Sequence, residues 1–177
     1  MGTRIRIERG DITRIPADAI VNAANSALAG GGGVDGAIHR AAGPSLMQEL
    51  NVIRQREGGC ATGSAVVTGA GKLPAKFVFH AVGPVYRDGR HGEPELLANC
   101  YRTCLKLAVE NGARTISFPA ISTGVYGYPA QEAAEIAMRE VRAFLEKTDA
   151  IDTVIFVLFD AGPEQIYQQL LAAAPPF

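Results

Sequence analysis

Two glycine-rich stretches hold the residues best placed for chemistry. The first, Asn22-Ala-Ala-Asn25-Ser-Ala-Leu-Ala-Gly30-Gly-Gly-Gly33-Val34-Asp35-Gly36-Ala-Ile-His39, leaves an apolar run of strand character, crosses four consecutive glycines and enters a helical pattern. The second, Ser122-Thr123-Gly124-Val125-Tyr126-Gly127-Tyr128-Pro129, also joins a strand-like run to a helical one. Consecutive glycines cost backbone entropy, and the usual reason to keep them is close approach of a ligand to bare amides. No Lys or Arg occurs from Ile15 to His39 or from Thr115 to Met138. An anion bound there must be held by backbone N–H groups, as helix N-termini and amide nests hold phosphate. Two such loops suit a diphosphate gripped from both sides, whereas for one loop alone a tight turn is the simpler reading.

Other motifs are weaker. Gly31-Gly32-Gly33-Val34-Asp35-Gly36 fits the dinucleotide fingerprint, but that fingerprint follows a first strand and this one lies past the second. Ala120-Ile121-Ser122-Thr123-Gly124 is one residue from a nucleophile elbow, yet His39, His80 and His91 all precede Ser122, against the esterase order. Gly71-Lys72-Leu73 lacks the rest of a Walker loop and reads as a turn between strands. Cys100 and Cys104 fall within an apolar helical stripe and read as core, and nothing near Cys60 would activate a thiolate. For His39 and His80, packing or a local hydrogen bond is the simpler role.

These loops need a scaffold, and the pattern supplies one. Strand-like runs are expected at about Arg4–Glu8, Ala19–Ala23, Ser64–Thr68, Lys76–Val82, Thr115–Pro119 and Thr153–Phe159. Helical patterns are expected from Pro44 to Glu57, Pro94 to Asn111, Pro129 to Lys147 and from Pro163, with a further helix entered at the first glycine loop. The alternation favours a layered α/β domain with a largely parallel or mixed sheet. The run Val154–Phe159 is apolar on both faces, which places it inside the sheet with helices on each side and implies three layers. Both glycine loops then leave carboxyl ends of strands, where open α/β sheets bind ligands.

Composition sets limits. The chain has 177 residues, 17 basic and 18 acidic, for a net charge of -1, so it has no global basic field for nucleic acid or an anionic membrane. One domain is expected over 1–177, with a core from about residue 4 to 171 and a frayed tail over Ala172–Phe177. No apolar run approaches the ~18 residues of a membrane span. The start MGTRIRIERG lacks a signal peptide's apolar region, and three cysteines make no closed disulfide framework. A cytoplasmic location is expected.

Asn22 to Asn25, followed by Gly30 to Val34-Asp35 and on through His39-Arg40-Ala-Ala-Gly43-Pro44, strongly resembles the macrodomain family, in particular its MacroD-type ADP-ribose hydrolases. The likeness extends to Gly10-Asp11-Ile12, Cys60-Ala-Thr62-Gly63 and Pro119 to Pro129, in order along nearly the whole chain. The resemblance implies a three-layer α/β/α sandwich with a central mixed sheet that binds ADP-ribose. By similarity, Asp11 accepts from the adenine amino group beside the Ile12 amide, and Phe159 stacks on the ring. Gly33, Val34 and the run Ser122, Thr123, Gly124, Val125 and Tyr126 would hold the diphosphate, with Tyr126 packed on the distal ribose. Asn25 would fix the distal ribose hydroxyls, and Asp35 would orient and deprotonate a water. Local sequence leaves rivals open: a turn cap for Asp11, core packing for Phe159 and a helix N-cap for Asp35.

The activity so implied is hydrolysis of ADP-ribose esters, namely O-acetyl-ADP-ribose and ADP-ribose on acidic side chains of proteins. No cofactor or metal is implied, because the Cys/His set of zinc-dependent members is absent. A non-catalytic ADP-ribose reader is the alternative, and an RNA- or poly(ADP-ribose)-binding module is disfavoured by the lack of a basic, aromatic stripe.

Overall fold

The computed structural model describes residues 4–174. Six strands, β1 (Ile5–Arg9), β2 (Ala19–Ala24), β3 (Ala65–Gly69), β4 (Phe77–Val82), β5 (Thr115–Phe118) and β6 (Thr153–Leu158), form one sheet in the order β1-β6-β5-β2-β4-β3. All neighbours are parallel except β3, which pairs antiparallel with β4 at one edge. Five helices cover it: α1 (Gly33–Ala42), α2 (Ser45–Glu57), α3 (Glu93–Glu110), α4 (Ala130–Leu145) and α5 (Ala161–Ala173). The mixed three-layer sandwich expected from the sequence is therefore present. Two details differ. Ala172 and Ala173 continue α5 rather than fray, while residues 175–177 of the expected tail lie outside the described residues, as do residues 1–3. A short 3₁₀ turn, Ile12–Arg14, follows β1 and was not apparent in the pattern.

The layers follow from side-chain alternation along each strand. On β6, Val154, Phe156 and Leu158 join one buried cluster while Ile155 and Val157 join another, so the apolar run is buried on both faces. The first cluster packs the sheet against α3, α4 and α5 through Leu97, Tyr101, Leu105, Ala137, Val141 and Tyr167. Its centre is aromatic: the Phe118 ring lies 5.0 Å from Tyr101 and 6.1 Å from Phe156. Truncating one such buried ring typically costs about 3–5 kcal/mol, so this side anchors the domain. The second cluster sets Ile38, Ala42 and Leu46 of α1 and α2 on Ile20 and Val78. Cys100 and Cys104 are fully buried in the first cluster, as the apolar stripe required.

Parallel strands place all their carboxyl ends on one edge. Along it the sheet order sets the exits of β1, β6, β5 and β2 side by side. β1 leads to Asp11, β6 to Phe159, β5 to the second glycine loop and β2 to the first. Three inter-strand steps of about 4.8 Å separate the ends of this row, roughly 14 Å. That suits an elongated ligand rather than a single small ion.

Candidate active site

Where the loops after β2 and β5 face each other, a cleft of about 350 Å³ opens. From the first loop it collects Asn25, Gly33, Val34 and Asp35, and from the second Ser122, Gly124, Val125 and Tyr126, all anticipated from sequence. Gly83, at the end of β4, completes the floor. A Cβ on Gly83 would fall 2.2 Å from Ser122 Oγ and 2.6 Å from Ile121, so only glycine lets the second loop settle against the sheet. Ser122 itself takes a left-handed conformation (φ 67°), and its Oγ is buried in the cleft wall without a partner.

Both loops bring backbone amides to the lining of this space. Gly32 is the N-cap of α1 and has no side chain to cap it. The first intrahelical bond runs from Gly36 N to Gly32 O. Helix geometry therefore leaves the amides of Gly33, Val34 and Asp35 without partners inside the helix. In the second loop the carbonyls of Ser122, Gly124 and Tyr126 are taken by the amides of Tyr128, Gly127 and Tyr86. Among the described residues, the amides of Gly124, Val125 and Tyr126 meet no protein acceptor. Two sets of unpaired donors, one backed by a helix dipole, are an arrangement able to hold an anion without a cationic side chain.

Asp35 is not the cap of α1, a role taken by Gly32. It stands in the first helical turn, buried, with no capping hydrogen bond. Its two oxygens do different things. Oδ1 accepts from Asn22 Nδ2 at 2.7 Å, and His39, one turn on, brings Nε2 to 3.3 Å from the same atom. Oδ2 faces the space in front of Gly31: a Cβ there would lie 3.5 Å from Asp35 Oδ2 and 3.9 Å from Asn25 Nδ2. Absence of a side chain at Gly31 thus leaves a small volume bounded by a carboxylate oxygen and a carboxamide. Asn25 is braced within its own loop, Nδ2 donating to Gly30 O and Oδ1 accepting from Ala29 N.

The remaining expected site residues lie outside this cleft. Thr123 turns its hydroxyl back to the Ala120 carbonyl. Ile12 is buried in the core, so only its backbone can serve a ligand. Asp11 does cap the 3₁₀ turn: Oδ1 accepts from the Thr13 amide at 2.9 Å and the Thr13 hydroxyl at 2.7 Å. Those bonds, the hydroxyl first, hold its carboxyl below the usual carboxylate range. Among the described residues its Oδ2 meets Arg14 Nε at 3.8 Å and no closer partner, so capping leaves one oxygen for a ligand. Phe159 lies just past the end of β6 rather than within it, and at 77% exposed it is no core residue. Gly10 N donates to Leu158 O, which joins the exits of β1 and β6 and so sets Asp11 and Phe159 at one end of the row.

A model of the Macro domain matches residues 21–137. The chain is a macrodomain. It is 56% identical over 171 residues to the O-acetyl-ADP-ribose deacetylase of Salmonella newport, covering 97% of this chain and 96% of that protein. The Oceanobacillus iheyensis macrodomain with MES bound superposes with a TM-score of 0.90 at 47% identity, covering 94% of this chain and 89% of the other. The Trypanosoma brucei macrodomain in complex with ADP-ribose does so with a TM-score of 0.87 at 45% identity, covering 95% and 69%.

Two groups in this macrodomain escaped the sequence reading. Asn22 opens the Asn22-Ala-Ala-Asn25 motif, but nothing local marks it as the partner of Asp35. Glu93 is the other. Burial alone would raise its pKa, yet the amides of Arg87, Asp88 and His91 among its donors bring it down to about 2. It thereby ties the loop after β4 to α3. Atoms of Asp88, His91 and Glu93 that could ligate a metal ion lie within 4.8 Å of one another. With Glu93 taken by amides and Asp88 Oδ1 accepting from Arg90 N and contacting His91, the trio reads as a loop staple. Among the described residues no helix is long and apolar enough to cross a membrane.

Proposed function

We propose that this macrodomain hydrolyses esters of ADP-ribose, releasing acetate from O-acetyl-ADP-ribose and freeing ADP-ribose from acidic side chains of proteins. The observation that carries the reading is the division of labour in Asp35: Oδ1 is tied down by Asn22 while Oδ2 faces the space beside Asn25. The Salmonella newport relative's name supports the same chemistry. Adenine lies at Asp11, Ile12 and Phe159, the diphosphate between the two amide sets, and the distal ribose against Tyr126 and Asn25. A water at Oδ2 attacks the acyl carbon as Asp35 takes its proton. The C–O bond to the ribose breaks and the ribose oxygen leaves as a hydroxyl, regenerating the carboxylate. Incubation with O-acetyl-ADP-ribose and with a glutamate-ADP-ribosylated protein, followed by mass spectrometry, should release acetate and ADP-ribose respectively. A parent protein that binds ADP-ribose but turns over neither ester is a reader, and the hydrolase reading falls.

Asp11→Ala tests the adenine end. Loss of the acceptor should weaken ADP-ribose binding by about 1–3 kcal/mol in calorimetry. In Asp11→Asn the one oxygen is claimed by the Thr13 cap, so the adenine amino group meets an amide nitrogen and affinity should stay as low as in Asp11→Ala. Unchanged affinity in Asp11→Ala would leave Asp11 as a turn cap alone.

A further inference from the structure

Behind Asp35, away from the cleft, three strands pass a hydrogen-bond chain from one to the next. Asn22 of β2 and His80 of β4 are partners in the parallel register. Both project to the α1/α2 face, because alternation sets them with Ile20 and Val78, which belong to the core on that face. Asn22 Nδ2 lies 2.7 Å from Asp35 Oδ1 and 3.1 Å from His80 Nδ1. His80 Nε2 lies 2.9 Å from Thr68 Oγ1 on β3, and that hydroxyl donates to the Gly69 carbonyl at 2.8 Å. Asn22, His80 and Thr68 are all buried.

Each proton in the chain is set by its neighbour. A carboxylate only accepts, so the Asn22 atom facing Asp35 is the amide nitrogen. That nitrogen's second hydrogen points at His80 Nδ1, which must therefore be bare. The ring proton is left for Nε2, and Thr68 accepts it because its own proton is committed to Gly69. Burial, and after it the nearby His39, push His80 from 6.5 down to about 3, so the ring is neutral as the chain demands. Asn22 Oδ1 is buried without a hydrogen-bond partner. The two acceptors of Nδ2 are thus what stops the amide from turning over and presenting oxygen to the carboxylate.

We propose that His80 is a positioning residue of the hydrolytic site: its Nδ1 fixes the Asn22 amide, which fixes Asp35 Oδ1 and aims Oδ2 at the water, while Thr68 selects the tautomer. This role presupposes that Asp35 directs the water. It separates His80 from the surrounding core, where a side chain need only fill space.

Two substitutions divide the imidazole between them. In His80→Asn the carboxamide oxygen can occupy the place of Nδ1 and still accept from Asn22. In His80→Gln the carboxamide nitrogen can occupy the place of Nε2 and still reach Thr68, but Asn22 loses its acceptor. With O-acetyl-ADP-ribose, kcat should stay within about 5-fold of the parent for His80→Asn and fall about 10- to 100-fold for His80→Gln, the range met when an outer partner that orients a working group is removed. ADP-ribose affinity by calorimetry should be unchanged in both. Equal kcat in the two variants, or kcat that simply follows their melting temperatures, overturns the proposal. A second measurement needs no variant: the ¹⁵N spectrum of the parent's histidines should show His80 protonated at Nε2 and bare at Nδ1, and a protonated Nδ1 overturns the relay. Asp35→Ala is assayed alongside. If it keeps the parental rate, the reading of Asp35 fails and the relay with it. If it loses the rate while His80→Gln does not, the relay alone is wrong.

Discussion

Asp35→Ala is expected to hydrolyse O-acetyl-ADP-ribose about 10²–10⁴-fold more slowly than the parent, the usual loss when a general base is removed, while still binding ADP-ribose. The separation of rate from affinity follows from where the carboxylate stands. Its Oδ1 is held by Asn22, and its Oδ2 borders the space in front of Gly31. A negative charge beside a bound diphosphate repels it, so deletion removes an unfavourable term from binding even as it removes the proton acceptor. Saturating-substrate kinetics paired with an ADP-ribose titration reads both quantities on one sample. Parental turnover in the variant would mean that another group, or the ligand's own phosphate, activates the water. Lost binding together with lost rate would instead make Asp35 a prop of the first loop.

Gly124→Val should cost ADP-ribose most of its grip without unfolding the protein. The amides of Gly124, Val125 and Tyr126 meet no acceptor in the protein among the described residues, and a branched side chain at Gly124 would stand between them and a phosphate. Losing one or two charge-assisted hydrogen bonds is worth about 2–3 kcal/mol, roughly 30- to 150-fold in Kd. The fold should tolerate the change. Gly124 lies outside the left-handed region, and a Cβ there would have no neighbour within 4 Å. Gly33 is a poorer probe of the same idea: its φ of +57° strains any β-branched residue, so weakened binding in Gly33→Val would mix sterics with a damaged helix start. Calorimetry alongside a circular dichroism melt decides. A folded Gly124→Val that binds normally would show that the second loop is only a turn.

Local pattern carried a good deal of this. Period-two apolar runs and capped, three-to-four-spaced helices depend on neighbours a few residues apart, so six strands and the longer helices could be read with ends off by one or two positions. β6 read as an interior strand because its apolarity on both faces is written in six consecutive residues. The proposed amide clamp has a similar origin: two glycine runs with no Lys or Arg nearby leave no cationic side chain to hold an anion, whatever the fold. Recognition of the motif then named Asn25 and Asp35 together.

Pairings between distant segments lay beyond the sequence. Whether Asp35 caps α1 or faces a ligand depends on whether something else holds its oxygen, and Asn22, which does so, is 13 residues away on β2. His80 reaches Asn22 across 58 residues of chain, and only the parallel β2–β4 register sets the two side chains on one face. Local sequence reads Asp11 as either turn cap or ligand acceptor, but the geometry allows both, one oxygen to each. Phe159 ends an apolar run and reads as core by composition, yet β6 stops one residue earlier and leaves the ring in solvent. The sheet order that lines up Asp11, Phe159 and the two loops along one edge is likewise a product of long-range pairing. Periodicity records which way a residue faces relative to its own element; what it meets there is decided by the elements that pack against it, and those are chosen by burial and hydrogen bonding across the whole chain.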